Sequence, residues 1–206
     1  MRRLQSSPFA FLTVSLSIFL SSAIGAQKGF EREDLIQPFL RGELTQWLIG
    51  PIARMASSAE RDGYLALRTN EEATRFIEEF WAKRDPSPDQ EGNAVFELYE
   101  QRAVEADKKY TESAHTGRRT DRGAIYILHS EPESIEYEEF RNVDEPDVEL
   151  WRYPKTAELG LDGKKPERIY RFARIGDLTS FYSKRKSRGD ATDRMRRTRD
   201  SQGRYP

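Results

Sequence analysis

Between residues 57 and 113 the apolar positions of this chain return every three or four residues, and beyond residue 117 they return every two. The first period marks helices with one buried stripe, and the second marks strands with one buried face. Ser57-Ser58-Ala59-Glu60 predicts a capping box, with Ser57 capping and Glu60 reaching back. The helix it opens carries Tyr64, Leu65 and Leu67 and ends near Arg68. Asn70 is the expected cap of a second helix, with Glu71 and Glu72 complementing its dipole and Ala73, Phe76, Ile77, Phe80 and Trp81 on one stripe. Asp85-Pro86-Ser87-Pro88 stops that helix, because a residue before proline disfavours helical geometry. A third helix is predicted from Asn93 to about Ser113, burying Phe96, Tyr99, Ala103, Ala106 and Tyr110.

Gly117 fits a left-handed cap at the end of this third helix, and Thr120, Asp121 and Gly123 supply turn chemistry. Ala124–His129 then reads as a short buried strand, followed by strands at Val148–Tyr153 and Arg168–Ile175 and weaker ones near Ile135–Phe140 and Thr179–Tyr182. None of the connections looks helical, so parallel crossovers are disfavoured. The expectation is an α+β fold, with N-terminal helices packed on a small, mainly antiparallel C-terminal sheet. Upstream, Pro38 and Gly50-Pro51 cut Leu35–Met55 into two short pieces.

The two ends differ from the body. Arg2 and Arg3 precede a run of twelve largely apolar residues, Phe9–Leu20, and then the small residues Ser21 to Ala26. That order predicts a cleaved secretory signal peptide over 1–26. The alternative is an uncleaved segment anchoring the protein in the inner membrane, although this run is shorter than the roughly 20 residues of a span. Residues 27–43 read as a loose N-terminal segment, 44–183 as the α+β domain, and 184–206 as a basic disordered tail. The tail holds nine Lys or Arg against three Asp, whereas residues 27–183 hold 23 basic against 32 acidic side chains. With no cysteine, disulfides and thiolate metal sites are excluded, and the fold stands on its hydrophobic core. A periplasmic or secreted location is expected.

With these segments placed, the chain resembles the GWxTD-domain proteins. The resemblance rests on matches in order: Phe76-Ile77-Glu78-Glu79-Phe80-Trp81 with Arg84-Asp85-Pro86, then Asn93, Phe96, Tyr99, Arg102 and Ala106. Gly117, Thr120-Asp121-Arg122-Gly123 and Ile125-Tyr126-Ile127 follow, and then Pro132, Ile135, Glu149 and Trp151-Arg152-Tyr153. It covers about Leu44 to Asp177. Two positions depart: Arg118 stands where the signature has tryptophan, and Ser130-Glu131 stand where Gly-Pro is expected. The family carries no established activity, so the resemblance implies fold and export and supplies no catalytic residue.

Candidate chemistry gathers in the signature turn. Thr120, Asp121 and Arg122 could orient a polar group of a ligand, against the simpler reading that Asp121 serves its own turn and Gly123 relieves a backbone constraint. Arg152 and Arg171 alternate with Trp151, Tyr153, Tyr170 and Phe172. This puts aromatics on one face of the sheet and leaves an arginine face able to take a carboxylate-bearing partner. Asp121, His129 and Glu133 are the acid–base groups of an alternative reading as an envelope hydrolase. His115 is expected just beyond a helix end. No nucleophile elbow, phosphate loop, dinucleotide fingerprint or metal-ligand spacing occurs, and Asp85, Asp89 and Glu91 do not follow the calcium-loop pattern, so no cofactor and no metal are expected. The sequence thus points to a non-catalytic module binding an envelope protein or an anionic envelope component. Transient membrane contact fits the basic tail, and specific nucleic-acid binding does not, because the tail lacks interleaved aromatics.

Overall fold

The computed structural model describes residues 30–138 and 146–182. The expected signal peptide (1–26), the basic tail (184–206) and the last residues of the strand expected at Ile135–Phe140 lie outside the described residues. Five helices come first: α1 (Ile52–Met55), α2 (Ser58–Ala66), α3 (Asn70–Ala82), α4 (Ala94–Tyr110) and α5 (Asp121–His129). Four strands follow: β1 (Ser134–Glu138), β2 (Val148–Arg152), β3 (Ile169–Ile175) and β4 (Leu178–Phe181). The class is α+β, as the change of period implied.

Helix starts follow capping chemistry. Ser57 Oγ accepts from the Glu60 N–H at 3.2 Å while Glu60 accepts from the Ser57 N–H at 2.8 Å, closing the predicted box. For α3 the cap is Thr69 rather than Asn70, because Glu72 stands three residues after Thr69 and completes a second box. Asn93 Oδ1 caps α4 by accepting from Val95 and Phe96, both at 3.1 Å.

Residues 121–129 form a helix, not the strand expected over Ala124–His129. Thr120 is its cap, accepting from the Gly123 N–H at 3.1 Å, and Asp121 begins its first turn. Residues Gly123 to Leu128 are all buried. Asp121, Arg122 and His129, which are partly exposed, fall on one side of this helix, but the six consecutive buried residues between them hide that period over so short a run. Arg102, on α4, donates from Nη1 to the carbonyls of Ile127 and Leu128 at 3.0 and 3.2 Å, satisfying free acceptors at the end of α5.

The sheet is an antiparallel meander in the order β1-β2-β3-β4. Ile175 pairs with Leu178 across a two-residue loop whose first member, Gly176, has φ 64°, a conformation that tight hairpins require. Trp151, Tyr153, Tyr170 and Phe172 are buried in the main core with Phe80, Trp81 and the interior of α5. The helices therefore shield one side of the sheet. Leu35 and Leu40, in the stretch read as a loose leader, join the same core, and Gln37 donates from Nε2 to the Leu67 carbonyl at 3.0 Å.

Candidate functional site

The signature turn sits where α4, α5 and the sheet meet. Gly117 has no positive φ, so it is not the left-handed cap that its position suggested. Its role is close approach: a Cβ at residue 117 would lie 1.9 Å from the Ala106 carbonyl oxygen on α4. Arg118 then grips the same helix, donating to the two oxygens of Asp107 from its backbone N–H at 2.7 Å and from Nε at 2.8 Å. Thr120 Oγ1 donates to the Gly117 carbonyl at 2.8 Å while accepting from Gly123. Gly123 is again a matter of space, since a Cβ there would lie 1.9 Å from the Gly117 oxygen.

Asp121 bonds outside its own turn. Its Oδ2 accepts from the Phe181 N–H at 2.9 Å, latching β4 to the start of α5. Burial pushes its carboxyl above the ordinary aspartate value, opposed by that N–H and by Arg54 and Arg32. Arg122 is enclosed between Glu112 and Glu149, which leave it 20% exposed while they are 7% and 11% exposed. Its Nη1 donates to Glu149 at 2.9 Å and its Nη2 to Glu112. Each carboxylate reaches onward, Glu112 to the Thr179 N–H at 2.7 Å and Glu149 to Trp151 Nε1 at 2.6 Å. Thr120, Asp121 and Arg122 are thus brought together, Thr120 bonded within its own turn and Asp121 and Arg122 fastening α5 to the sheet.

Arg152 and Arg171 lie on the outer face of the sheet, one step apart in register: Arg152 opposite Ile169, and Leu150 opposite Arg171. The aromatics occupy the other face, as the alternation requires. Arg152 meets a carboxylate within the chain, Glu136 on β1, at 2.7 Å. The outer face is more mixed than alternation alone suggested: Val148, Leu150 and Ala173 form a small buried cluster there, with Ile169 and Tyr182 against it.

The proposed acid–base trio does not assemble. Asp121 opens α5 and His129 closes it, so a helical rise of about 1.5 Å per residue puts them roughly 12 Å apart along the axis. Glu133 is exposed in the segment leading into β1. His129 lies between Tyr170 and Tyr153, with ring centroids 6.1 Å away in both cases, and its Nδ1 is buried without a hydrogen-bond partner. Burial lowers its pKa, and Asp162 opposes that shift. His115 lies past α4, 3.3 Å from Arg32 Nη2. Among the described residues no group of three His, Asp or Glu is placed to hold a metal ion, and no helix is long and apolar enough to cross a membrane. The buried partners Glu112 and Glu149 escape a reading of the sequence, because nothing local marks the residue that will face Arg122.

Residues 23–186 match the profile described as the GWxTD domain. That span includes the stretch around Leu35 and Leu40 that the structure packs into the core. No curated protein and no solved structure matches the chain.

Proposed function

This chain belongs to the GWxTD domain family, and we propose that it is an exported, non-catalytic interaction module that binds a protein or anionic component of the cell envelope. The observation that carries this reading is the use made of the signature. Thr120, Asp121 and Arg122 are committed to bonds inside the fold, which leaves their polar groups little to offer a substrate. Export is supported by the basic, apolar and small-residue order at the N-terminus. Interaction is supported by the sheet margin: β1 is an edge strand, and its Ile135 and Tyr137 are 44% and 70% exposed. Exposed apolar side chains on a strand edge suit pairing with another polypeptide. The basic tail suits anionic surfaces.

The test is crosslinking and capture in native envelopes, using the full chain and a form with its nine tail Lys and Arg replaced by Gln. A specific partner that crosslinks through β1 supports the proposal, and weaker capture without the tail charges assigns the tail a share. Recovery of no specific partner by either form refutes it.

A further inference from the structure

Residues 155–166 lie in the connection between β2 and β3. Among the described residues, one hydrogen bond ties them to the rest of the fold: the Leu161 N–H donates to the Leu128 carbonyl, near the end of α5, at 3.0 Å. Their other bonds close the segment on itself, such as Gly160 N–H to the Lys164 carbonyl at 2.8 Å and Lys164 N–H to Asp162 Oδ1 at 3.0 Å. The segment is a strap, held by that one bond and by what lies under it.

Under it lies His129, the last residue of α5, with the rings of Tyr153 and Tyr170 both 6.1 Å from its own. Gly160 rests against the imidazole, since a Cβ at residue 160 would stand 2.3 Å from His129 Nδ1 and 2.7 Å from the Leu128 carbonyl oxygen. Nδ1 is buried and has no hydrogen-bond partner. A neutral imidazole tolerates this, because one of its nitrogens carries no proton. An imidazolium does not, because both nitrogens then donate and a buried donor without an acceptor is costly. The carbonyl beside Gly160 has no capacity left: Leu128 already accepts from Leu161 and from Arg102 Nη1, which uses both lone pairs.

The charges that face the ring are mixed. Arg54 on α1 and Arg102 on α4 oppose a further cation, Asp162 in the strap favours one, and Tyr153 and Tyr170 contribute neutral phenols. Burial outweighs Asp162, so the closed site holds a proton less firmly than a solvated histidine does.

We propose that residues 155–166 form an acid-released strap, held on α5 by neutral His129 and let go when the imidazole takes a second proton. Opening gives Nδ1 to water and uncovers Tyr153 and Tyr170, whose rings lie 5.7 Å apart. The proton binds the open form better. The closed form is therefore secure above the ordinary histidine value of about 6.5 and loses ground as pH falls below it. This device is independent of the interaction reading above.

The chain has two histidines, so their imidazole signals can be followed separately by NMR in the full protein. Amide hydrogen exchange at Leu161 and Ile127 is read over the same pH series. The His129 midpoint is expected below about 6.5. Leu161 protection, corrected for the intrinsic exchange rate, should fall about threefold or more between pH 7.5 and pH 5.5, while Ile127, inside α5, keeps its own. Asp162→Asn keeps an acceptor for the Lys164 N–H and should lower the His129 midpoint further. His129→Phe should leave Leu161 protection independent of pH. The proposal is overturned by a His129 midpoint at or above about 6.5, by Leu161 protection that ignores pH, or by a parallel loss at Ile127. The same pH response in folded His129→Phe overturns it too. Should phenylalanine crowd Gly160 and unfold the chain, the exchange of the unaltered protein and the Asp162→Asn midpoint decide.

Discussion

Replacing Arg122 with methionine keeps a long side chain but removes the cation between Glu112 and Glu149. Both carboxylates are nearly enclosed, at 7% and 11% exposure, so they cannot turn to water. Breaking a buried pair from one side costs about 3–5 kcal/mol. Here Glu112 keeps the Thr179 N–H and Glu149 keeps Trp151 Nε1, which places the loss near the low end, about 3 kcal/mol. For a domain of this size that corresponds to a melting point lower by roughly 6–12 °C. The pH dependence is more diagnostic than the size. In the unaltered protein, burial pushes the Glu112 carboxyl up, but the Thr179 N–H and Arg122 outweigh it, so its pKa lies below the ordinary value of 4.5. Its stabilisation is therefore present above pH 4.5 and lost as pH falls through the depressed value. Without Arg122 two of the effects that lower the Glu112 pKa are gone while burial and the Thr179 N–H remain, so its pKa moves upward and the deficit narrows as pH falls toward 4.5. Urea unfolding followed by tryptophan fluorescence should show a deficit of about 3 kcal/mol at pH 8 that shrinks at lower pH. Adding Glu112→Gln should recover part of the loss at pH 8. A deficit under about 1 kcal/mol, or one independent of pH, would refute the fastening role of Arg122.

Four further substitutions, at three positions, probe the same frame. Gly123→Ala gains about 1 kcal/mol of helix propensity but drives a methyl against the Gly117 carbonyl, so thermal melts should show a net loss of about 2–3 kcal/mol. Asp121→Asn keeps an acceptor for the Phe181 N–H and should cost less than about 1 kcal/mol, whereas Asp121→Ala leaves that N–H unpaired and should cost about 1–3 kcal/mol. Because Asp121 has a raised folded pKa, its protonated form favours the fold, and Asp121→Asn should compare best with the unaltered protein at the alkaline end of a urea series. Glu60, held down to about 2 by its bonds to Arg84, contributes stability above pH 4.5 that is lost as pH falls toward 2. Glu60→Gln should therefore lose about 1–2 kcal/mol at pH 7 and almost none at pH 2, as read by urea unfolding at both values.

What could be read from the residues depended on whether the signal was local. Ser57 and Glu60 announce their helix within four positions, and the stripe from Ala73 to Trp81 announces the next, so both emerge where expected. The alternation of Trp151, Arg152 and Tyr153 likewise assigned the sheet faces. Ala124–Leu128 misled for a physical reason. The run Ala-Ile-Tyr-Ile-Leu is dense in β-branched and aromatic residues, and the polar side of this helix shows only at its ends, in Asp121, Arg122 and His129. The available clue was Thr120 followed by Asp121, which serves as helix cap and first-turn acid as readily as turn chemistry. The signature was legible as a candidate turn, with a ligand role and a structural role both open, but its partners were not. Phe181, Glu112 and Glu149 reach Asp121 and Arg122 only through tertiary folding, which no spacing in the chain encodes.

The measurement that bears most directly on the whole account is envelope crosslinking with folded Asp121→Asn protein. If the signature fastens helix to sheet and recognition lies elsewhere, this variant with unchanged near-ultraviolet circular dichroism gives the same crosslinked partners as the unaltered chain. Loss of those partners with the fold intact would make Asp121 a recognition residue and contradict the account.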